Sequence, residues 1–239
     1  MIFPNWNAPQ NVKAVSSTRI GGYSSGSYQS LNLGMHVEDS PELVQRNRQV
    51  FAERAGMPSE PVWLNQTHST QIVQLNEPTR QVLDADGSFT SHSKVICTVM
   101  TADCLPVLLC NRQGTQVAAV HAGWRGLAGG ILENAVKQFN GEVIAWLGPA
   151  IGPTAFEVGD DVVEAFCAVD SNAEGAFQPF KTSGKWLANM DLLATQRLNQ
   201  SGVTSVSSSC LCTYSNAEQF YSYRRDGITG RQASFIWLE

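Results

Sequence analysis

The stretch from Val95 to Gly130 constrains the fold of this chain most, because it contains three short apolar runs in quick succession. The runs are KVICTVMT, LPVLLCN and TQVAAVHAG, and each has the length of a buried strand rather than of a helix. The residues NRQG, from Asn111 to Gly114, separate the second run from the third and predict a hairpin turn. Apolar runs of this kind are typical of strands that other elements cover on both faces.

Helices and further strands are predicted on either side of this stretch. A helix is predicted in SPELVQRNRQVFAERAG, with Ser40 as its cap, Pro41 at its first position and Gly56 at its stop. Other helices are predicted over 127–139, 159–169 and 185–202, and strands in VKAVSSTR, EVIAWL, ASFIWL and around the C-x-C of Cys210 and Cys212. The segment DADGSFTSHS is predicted to be a turn-rich connector. We therefore expect an α/β layered single domain, residues 1–239, with a mixed β-sheet.

Composition and charge exclude several classes of protein. A formal charge of −5 with no basic stripe opposes nucleic-acid binding, which needs cations to neutralise phosphates. No apolar run approaches the roughly 20 residues of a transmembrane helix, and MIFPNWNAPQ lacks the features of a signal peptide. We therefore expect a cytoplasmic protein that binds neither nucleic acid nor membrane. In that compartment the six cysteines are expected to be free.

Two histidines and a cysteine are candidate metal ligands. His68, Cys104 and His121 each lie at an edge of an apolar run, among small or polar residues. Their sequence separations, 104 − 68 = 36 and 121 − 104 = 17, match no zinc finger, and each residue taken alone is more often a packing or hydrogen-bonding residue. Together they form a ligand set for zinc that leaves one position for water. Copper also accepts two histidines and a cysteine, and a fourth ligand such as Cys210 or Cys212 would instead make the site structural.

Polar residues beside these ligands suggest roles in catalysis. Asp103 is a candidate base for a metal-bound water, or else a turn carboxylate. The segment AGWRGLAGG can present backbone N–H groups and Arg125 to an anion, or its glycines can serve close packing. Cys104 can alternatively be a nucleophile activated by His121, as in a cysteine hydrolase that cleaves an amide.

Several segments together resemble one known family. They are STRIGG, SLNLG, NRQVF, WLNQTHS, MTADCLPVLLCN, VAAVHAGWRGL, WLGPAIGP, FEVG, CTYS, SYRRDG and ASFIWL, and they extend from about Ser16 to Glu239. The chain is thereby similar to the YfiH family, also called the laccase-domain, polyphenol-oxidase or peptidoglycan editing factor family. The resemblance implies mixed β-sheets, a zinc ion on His68, Cys104 and His121, and purine nucleoside and phosphate as substrates. It also implies substrate or phosphate contacts by five residues in family-like motifs, namely Asn32, Arg48, Asn65, Gln66 and Arg225.

The activities that the resemblance implies can be compared with the sequence. They are phosphorolysis of adenosine, inosine or methylthioadenosine, deamination of adenosine, copper-dependent polyphenol oxidation, and removal of L-serine from a peptidoglycan precursor. The chain has four histidines, whereas a multicopper oxidase needs on the order of ten, and it lacks the H-x-E and P-C-x-x-C of zinc deaminases. We therefore expect a zinc-dependent purine nucleoside phosphorylase, monomeric or homodimeric. The alternatives are the copper oxidoreductase, the amide hydrolase, and a nucleoside-binding module with a structural zinc.

Overall fold

The computed structural model describes residues 1–239 and contains fourteen strands and six α-helices. The strands are β1 (Val12–Ser16), β2 (Leu64–Asn65), β3 (Ile72–Gln74), β4 (Leu83–Asp84), β5 (Gly87–Thr90), β6 (Cys97–Thr101), β7 (Leu105–Asn111), β8 (Val117–Ala122), β9 (Val143–Leu147), β10 (Glu157–Gly159), β11 (Phe177–Pro179), β12 (Lys185–Ala188), β13 (Ser205–Ser208) and β14 (Gln232–Leu238). The α-helices are α1 (Pro41–Arg54), α2 (Trp124–Ala128), α3 (Ile131–Val136), α4 (Asp160–Cys167), α5 (Met190–Gln200) and α6 (Tyr223–Asp226). None of these helices combines the length and the apolar character that crossing a bilayer requires.

The largest sheet has six strands in the order β13-β9-β7-β8-β5-β3. Strands β7 and β8 form the predicted antiparallel hairpin, whereas β13 with β9 and β3 with β5 are parallel pairs. The predicted mixed sheet and α/β class are therefore confirmed. Alternation along β7 sends Val107 and Leu109 into a core shared with the helices, and Leu108 and Cys110 into a core on the opposite face.

A second sheet, in the order β1-β14-β6, packs on that opposite face. Its inner side chains, such as Val99 and Ile236, share a core with Leu108 and Trp146 of the large sheet. Helix α1 covers the outer face of this second sheet, and the rings of Phe51 and Phe235 stack with their centroids 5.1 Å apart. The molecule is thus built in four layers, and the strands of the Val95–Gly130 stretch lie at its centre.

The capping of helix α1 agrees with the prediction. The hydroxyl of Ser40 accepts a hydrogen bond from the backbone N–H of Leu43 at 3.4 Å, and Pro41 begins the helix. Gly56 follows the helix with a φ of +63°, a conformation that costs glycine little.

The prediction of a connector in DADGSFTSHS, residues 84–93, is wrong as far as Thr90. Residues of this segment form β4 and the fully buried strand β5, which lies between β3 and β8. The space for a side chain at Gly87 is taken by the Ile72 side chain, whose Cδ1 would lie 2.5 Å from a Cβ there. Pairing with two neighbours imposes the strand on residues whose own preference is for turns.

Three further element predictions need correction. The helix expected over 127–139 is two helices, α2 and α3, because Gly130 between them adopts a φ of +95°. The segment KWLA forms strand β12, and Asn189 caps α5 by accepting from the N–H of Leu192 at 3.0 Å. Cys210 and Cys212 follow β13 rather than lying within a strand, and Cys210 has a φ of +55°. The remaining strands make two small sheets, β10-β12-β11 and β2-β4.

Candidate metal centre

The three predicted ligands meet at one edge of the large sheet. His68 lies in the loop between β2 and β3, Cys104 immediately precedes β7, and His121 lies in β8. Antiparallel pairing of Pro106 with His121 brings the start of β7 beside the end of β8. The ligand atoms of the three residues all lie within 4.8 Å of one another, and Cys104 Sγ is 3.7 Å from His68 Nε2.

These distances fit a metal ion with tetrahedral geometry. Zinc bonds of about 2.3 Å to sulfur and about 2.0 Å to nitrogen imply a separation of roughly 3.5 Å between two ligand atoms. His121 is buried, Cys104 is half-buried and His68 is exposed, so the site is open to solvent on one side. No further histidine, cysteine or carboxylate joins the group. Cys212, considered above as a fourth ligand, instead accepts the backbone N–H of Gly152 at 3.2 Å.

A buried carboxylate that the sequence analysis missed, Asp86, orients two of the ligands. Its Oδ1 lies 2.8 Å from His121 Nδ1, which leaves Nε2 of that ring for a metal. The same carboxylate accepts the backbone N–H groups of Thr67, His68 and Ser69 at 3.1, 3.0 and 2.6 Å. These bonds hold His68 at a φ of +61°, which a residue with a side chain rarely adopts. Asp86 therefore fixes both the ring of His121 and the loop that carries His68.

The ionised forms of Cys104, His121 and Asp86 stabilise one another. Burial opposes ionisation of the Cys104 thiol, but the adjacent His121 and His68 outweigh it and lower its pKa to about 6. Burial likewise opposes protonation of His121, but Cys104 and Asp86 outweigh it and raise the pKa of that imidazole to about 9. Hydrogen bonds from His121 and Ser69 hold the pKa of Asp86 well below its usual range despite burial. Cys104 is thus predisposed to the thiolate form that binds metals.

Gly123 provides the space in which the ligands meet. A Cβ at this position would lie 2.6 Å from Cδ2 of His68 and 3.3 Å from Sγ of Cys104. The backbone φ of Gly123 is −63°, so only this lack of space disfavours a side chain there. The absence of a Cβ is therefore a feature of the site, and it fits a cradle for an ion.

The structure places the predicted base Asp103 in a different setting from the one expected. Its carboxylate accepts hydrogen bonds from Thr213 Oγ1 at 2.6 Å, Ser222 Oγ at 3.0 Å and the Arg224 N–H at 2.7 Å. Asp103 is buried, with a φ of +98°. These contacts tie the segment that leads into α6 to the loop that carries Cys104. A positioning role follows from them, and the base role stays a prediction.

Four of the five predicted substrate residues are engaged within the protein. Arg225 donates every guanidinium N–H to Asp226 or to the backbone oxygens of Thr213, Tyr214 and Phe220, so none is left for phosphate. The predicted phosphate contact of Arg225 stays a prediction, and it would require one of these hydrogen bonds to break.

The amides are engaged in a similar way. Buried Asn32 joins Gly34 and Asp39 and accepts the Arg231 N–H at 2.9 Å. Gln66 makes two 2.8 Å bonds to the backbone of Met100, and Asn65 donates to Asp84 at 2.7 Å. The contacts of Asn32 and Gln66 indicate a positioning role for these two residues.

Cations with unused donors lie near the ligands. Arg48 lies 3.5 Å over the ring of Trp63, and exposed Arg125 lies 4.3 Å over Trp124, next to Gly123. Arg231 and His36, which the sequence analysis missed, couple electrostatically to Cys104 and His121 respectively. Arg231 follows Gly230 just before the final apolar strand, which is the only sequence signal that marks it.

Comparisons with known proteins agree with the fold and identify the family. Residues 13–239 match a family model described as multi-copper polyphenol oxidoreductase laccase. The chain is 52% identical over 241 residues to a protein from Escherichia coli K12 named purine nucleoside phosphorylase YfiH, covering all of this chain and 98% of the relative. It is 51% identical over 242 residues to a Haemophilus influenzae protein named purine nucleoside phosphorylase, covering all of this chain and 99% of the relative.

Solved structures show the same architecture. A crystal structure of the Neisseria meningitidis protein NMB0706, of family-model DUF152, has a TM-score of 0.95 and 50% identity, covering all of this chain and 98% of that one. A Bacillus licheniformis hypothetical protein YfiH has a TM-score of 0.90 and 30% identity, covering 95% of this chain and 93% of that one. With a family model that spans nearly the whole chain, relatives at about half identity and the same fold in solved structures, this chain belongs to the YfiH family.

Proposed function

We propose that this protein is a zinc-dependent purine nucleoside phosphorylase that acts on adenosine, inosine and methylthioadenosine. The observation that carries the proposal is the open His68–Cys104–His121 group, which has three ligand side chains and one solvent-facing side. The names of the relatives at 51% and 52% identity support the same reaction class. The six free cysteines agree with action in the cytoplasm.

The reaction needs negative charge to be held close to the ribose. A phosphate oxygen forms a bond to the anomeric carbon, the bond from that carbon to the purine nitrogen breaks, and its electrons leave with the purine, which takes up a proton. A zinc ion bound to the three ligands would supply a Lewis acid that stabilises developing negative charge. Arg125 is an exposed cation without a carboxylate partner at the edge of the same site. It can attract the anionic substrate toward the site.

Product analysis tests this proposal directly. Zinc-loaded protein is incubated with adenosine or inosine, with and without inorganic phosphate, and the products are identified by mass spectrometry. We expect free base and ribose 1-phosphate only when phosphate is present, and loss of both after chelation or in His68→Ala. Inosine formed from adenosine would indicate a deaminase, and an unchanged nucleoside would indicate a binding module. Base release that is insensitive to both chelation and His68→Ala would contradict a metal-dependent mechanism.

One observation favours a second candidate, an amide hydrolase that uses Cys104 as its nucleophile. The pKa of the Cys104 thiol is lowered to about 6 because neighbouring His121 and His68 outweigh burial, so metal-free protein carries a thiolate at neutral pH. Removal of L-serine from a peptidoglycan precursor would belong to this class. Serine release that survives chelation and disappears in Cys104→Ser would support the hydrolase over the phosphorylase.

The donor set also bears on copper chemistry. A copper-dependent polyphenol oxidoreductase is the alternative that the description of the family model supports. The ligand group contains two of the four histidines, and His92 lies on an exposed loop away from any such group. These ligands fit one ion rather than the several coppers of a laccase. Phenol oxidation by copper-loaded protein that exceeds base release by zinc-loaded protein would reverse our preference.

A further inference from the structure

Two arginines that lie far apart in the sequence, Arg48 and Arg231, contact the same short backbone segment. Arg48 Nε donates to the carbonyl oxygen of Leu33 at 2.9 Å. The Arg231 side chain packs against Gly34, where a Cβ would lie 2.8 Å from Arg231 Cγ. The Leu33 N–H also donates to the carbonyl oxygen of Arg231 at 3.0 Å. Leu33 and Gly34 therefore contact the guanidinium of Arg48 on one side and the backbone and Cγ of Arg231 on the other.

The same two arginines flank the loop that leads to Cys104. Arg48 Nη2 lies 3.8 Å from the sulfur of Met100, in strand β6. Gln232, next to Arg231, pairs with Thr101 at the end of that strand. Because Cys104 follows Thr101 by three residues, both arginines border the segment that delivers the metal-binding thiol.

Neither arginine has a carboxylate partner. The ion pairs of the molecule include Arg80, Arg112, Arg197 and Arg225, but not Arg48 or Arg231. Arg231 donates from Nη1 to the carbonyl oxygens of Thr229 and Gly230, both at 3.0 Å, and its Nε and Nη2 donate to no protein atom. Nη1 of Arg48 is likewise unused. Each guanidinium thus keeps N–H groups for a ligand.

Partial burial makes these unpaired charges costly. Desolvation lowers the pKa of Arg48 to about 9 and also lowers the pKa of Arg231, although Cys104 and Asp103 oppose the latter shift. The pKa of the His36 imidazole is lowered to about 4. Burial is the largest cause, and the charges of Arg231, Arg48 and His121 add to it. His36 is therefore neutral at pH 7 and adds no third cation. Two partly desolvated guanidinium groups without a carboxylate ion-pair partner suit an anion that arrives from solvent.

We propose that Arg48 and Arg231 form a two-arginine site that binds the phosphate co-substrate beside the metal centre, with Arg231 replacing Arg225 as the phosphate contact of the C-terminal segment. The inference rests on the proposed phosphorolysis for the role of the bound phosphate. Unused N–H groups on two planar guanidiniums match the several oxygens of inorganic phosphate. Stacking on Trp63 and the bond to Leu33 hold Arg48 in place before the anion arrives.

Direct binding of inorganic phosphate tests the inference without relying on turnover. Zinc-loaded wild-type protein and the variants Arg231→Gln, Arg231→Lys and Arg48→Gln are titrated by isothermal calorimetry, with zinc content and circular dichroism recorded for each. We expect the phosphate Kd to rise about tenfold or more in each Gln variant. Arg231→Lys should give an intermediate Kd, because it keeps the charge and loses the planar fork.

Arg46→Gln is the matched control. Arg46 lies in the same helix as Arg48 and stacks 3.6 Å over Tyr23, but it is exposed. We expect its phosphate Kd to stay within about twofold of the wild-type value, since an exposed cation contributes little.

Several outcomes would overturn the inference. They are a wild-type protein that binds no phosphate, Gln variants that bind it unchanged, and loss of binding in Arg125→Gln instead of in Arg231→Gln. If Arg231→Gln does not fold or hold zinc, Arg231→Lys and Arg48→Gln decide. Failure of the proposed function gives a different result. If the Gln variants bind phosphate more weakly but the wild-type protein releases no base, the phosphate site is supported and the phosphorylase activity is refuted. Phosphate-dependent base release with an unchanged phosphate KM in the Gln variants would refute the site alone.

Discussion

At the residue scale, a single buried carboxylate holds two of the three candidate metal ligands in place. Asp86 accepts from the His121 ring and from three consecutive backbone N–H groups around His68. Outer partners of this kind fix the tautomer and orientation of a ligating imidazole. Without Asp86, neither the rotamers of His68 and His121 nor the ring nitrogens that face the metal would be fixed.

Replacement of Asp86 by Asn should weaken zinc binding by about 10- to 100-fold, because the amide keeps the shape but loses the charge and part of the acceptor capacity. Competition with a chromophoric chelator measures the zinc Kd. Asp84→Asn is the control, since Asp84 is exposed and accepts only from Asn65. A zinc Kd in Asp86→Asn equal to that of Asp84→Asn would refute the orienting role.

At the scale of elements, the junction between β8 and α2 brings backbone and ligands closer than a side chain allows. Gly123 caps α2 with its backbone, and His121 lies two residues before it on β8. The strand thus ends, and the helix begins, within contact distance of Cys104 and His68. The resulting packing makes this glycine a requirement of the ion cradle rather than of the turn.

Gly123→Ala should fold yet lose most of its bound zinc, because the new methyl group must displace the His68 ring. Metal content after purification and the thermal midpoint together measure the effect. The control is Gly175→Ala, at a position where a Cβ would meet nothing within 4 Å and φ is not positive. Full zinc occupancy in Gly123→Ala would show that the cradle can widen and would contradict our account.

At the scale of the whole molecule, contacts far apart in sequence close the site. The Asp103 carboxylate receives Thr213, Ser222 and the Arg224 N–H from the C-terminal segment, next to the thiol of Cys104. Arg231 arrives from the same segment. The metal ligands therefore come from residues 68–121, whereas the groups that hold the Asp103 carboxylate come from residues beyond 210.

Asp103→Asn should lower the free energy of unfolding by about 1–3 kcal/mol, because an amide cannot accept all three hydrogen bonds of the buried carboxylate. Denaturant unfolding measures the loss, with exposed Glu77→Gln as control. Activity assayed well below the thermal midpoint separates the two roles of this residue. Retained base release would support positioning, whereas abolished release with unchanged stability would support the predicted base.

Local sequence patterns predicted the turns, caps and strands that are determined by residues close together in the sequence. The β7–β8 hairpin and the cap of α1 at Ser40 follow from apolar runs and turn residues close together in the sequence. The grouping of His68, Cys104 and His121 was instead expected from ligand types and from the family resemblance. Strand β5 was missed because its Gly and Ser prefer turns, and only pairing with β3 and β8 makes it extended.

Other parts of the site depend on long-range pairing that spacing does not reveal. Asp86 looked like a turn residue, and its partners Ser69 and His121 lie far from it in sequence. Arg225 and Arg231 are both arginines of the C-terminal segment, so residue type does not distinguish them. Only the hydrogen bonds distinguish Arg225, which is fully engaged, from Arg231, which keeps free N–H groups.

Strand β14 is the inner strand of its sheet, with β1 on one side and β6 on the other. During synthesis, β1 and β6 must therefore wait for residues 232–238 to leave the ribosome before either gains its partner. Arg231 reaches the site at the same moment. A nascent or proteolytically clipped polypeptide without this last strand should consequently be inert, so that activity appears only in chains translated through residue 238.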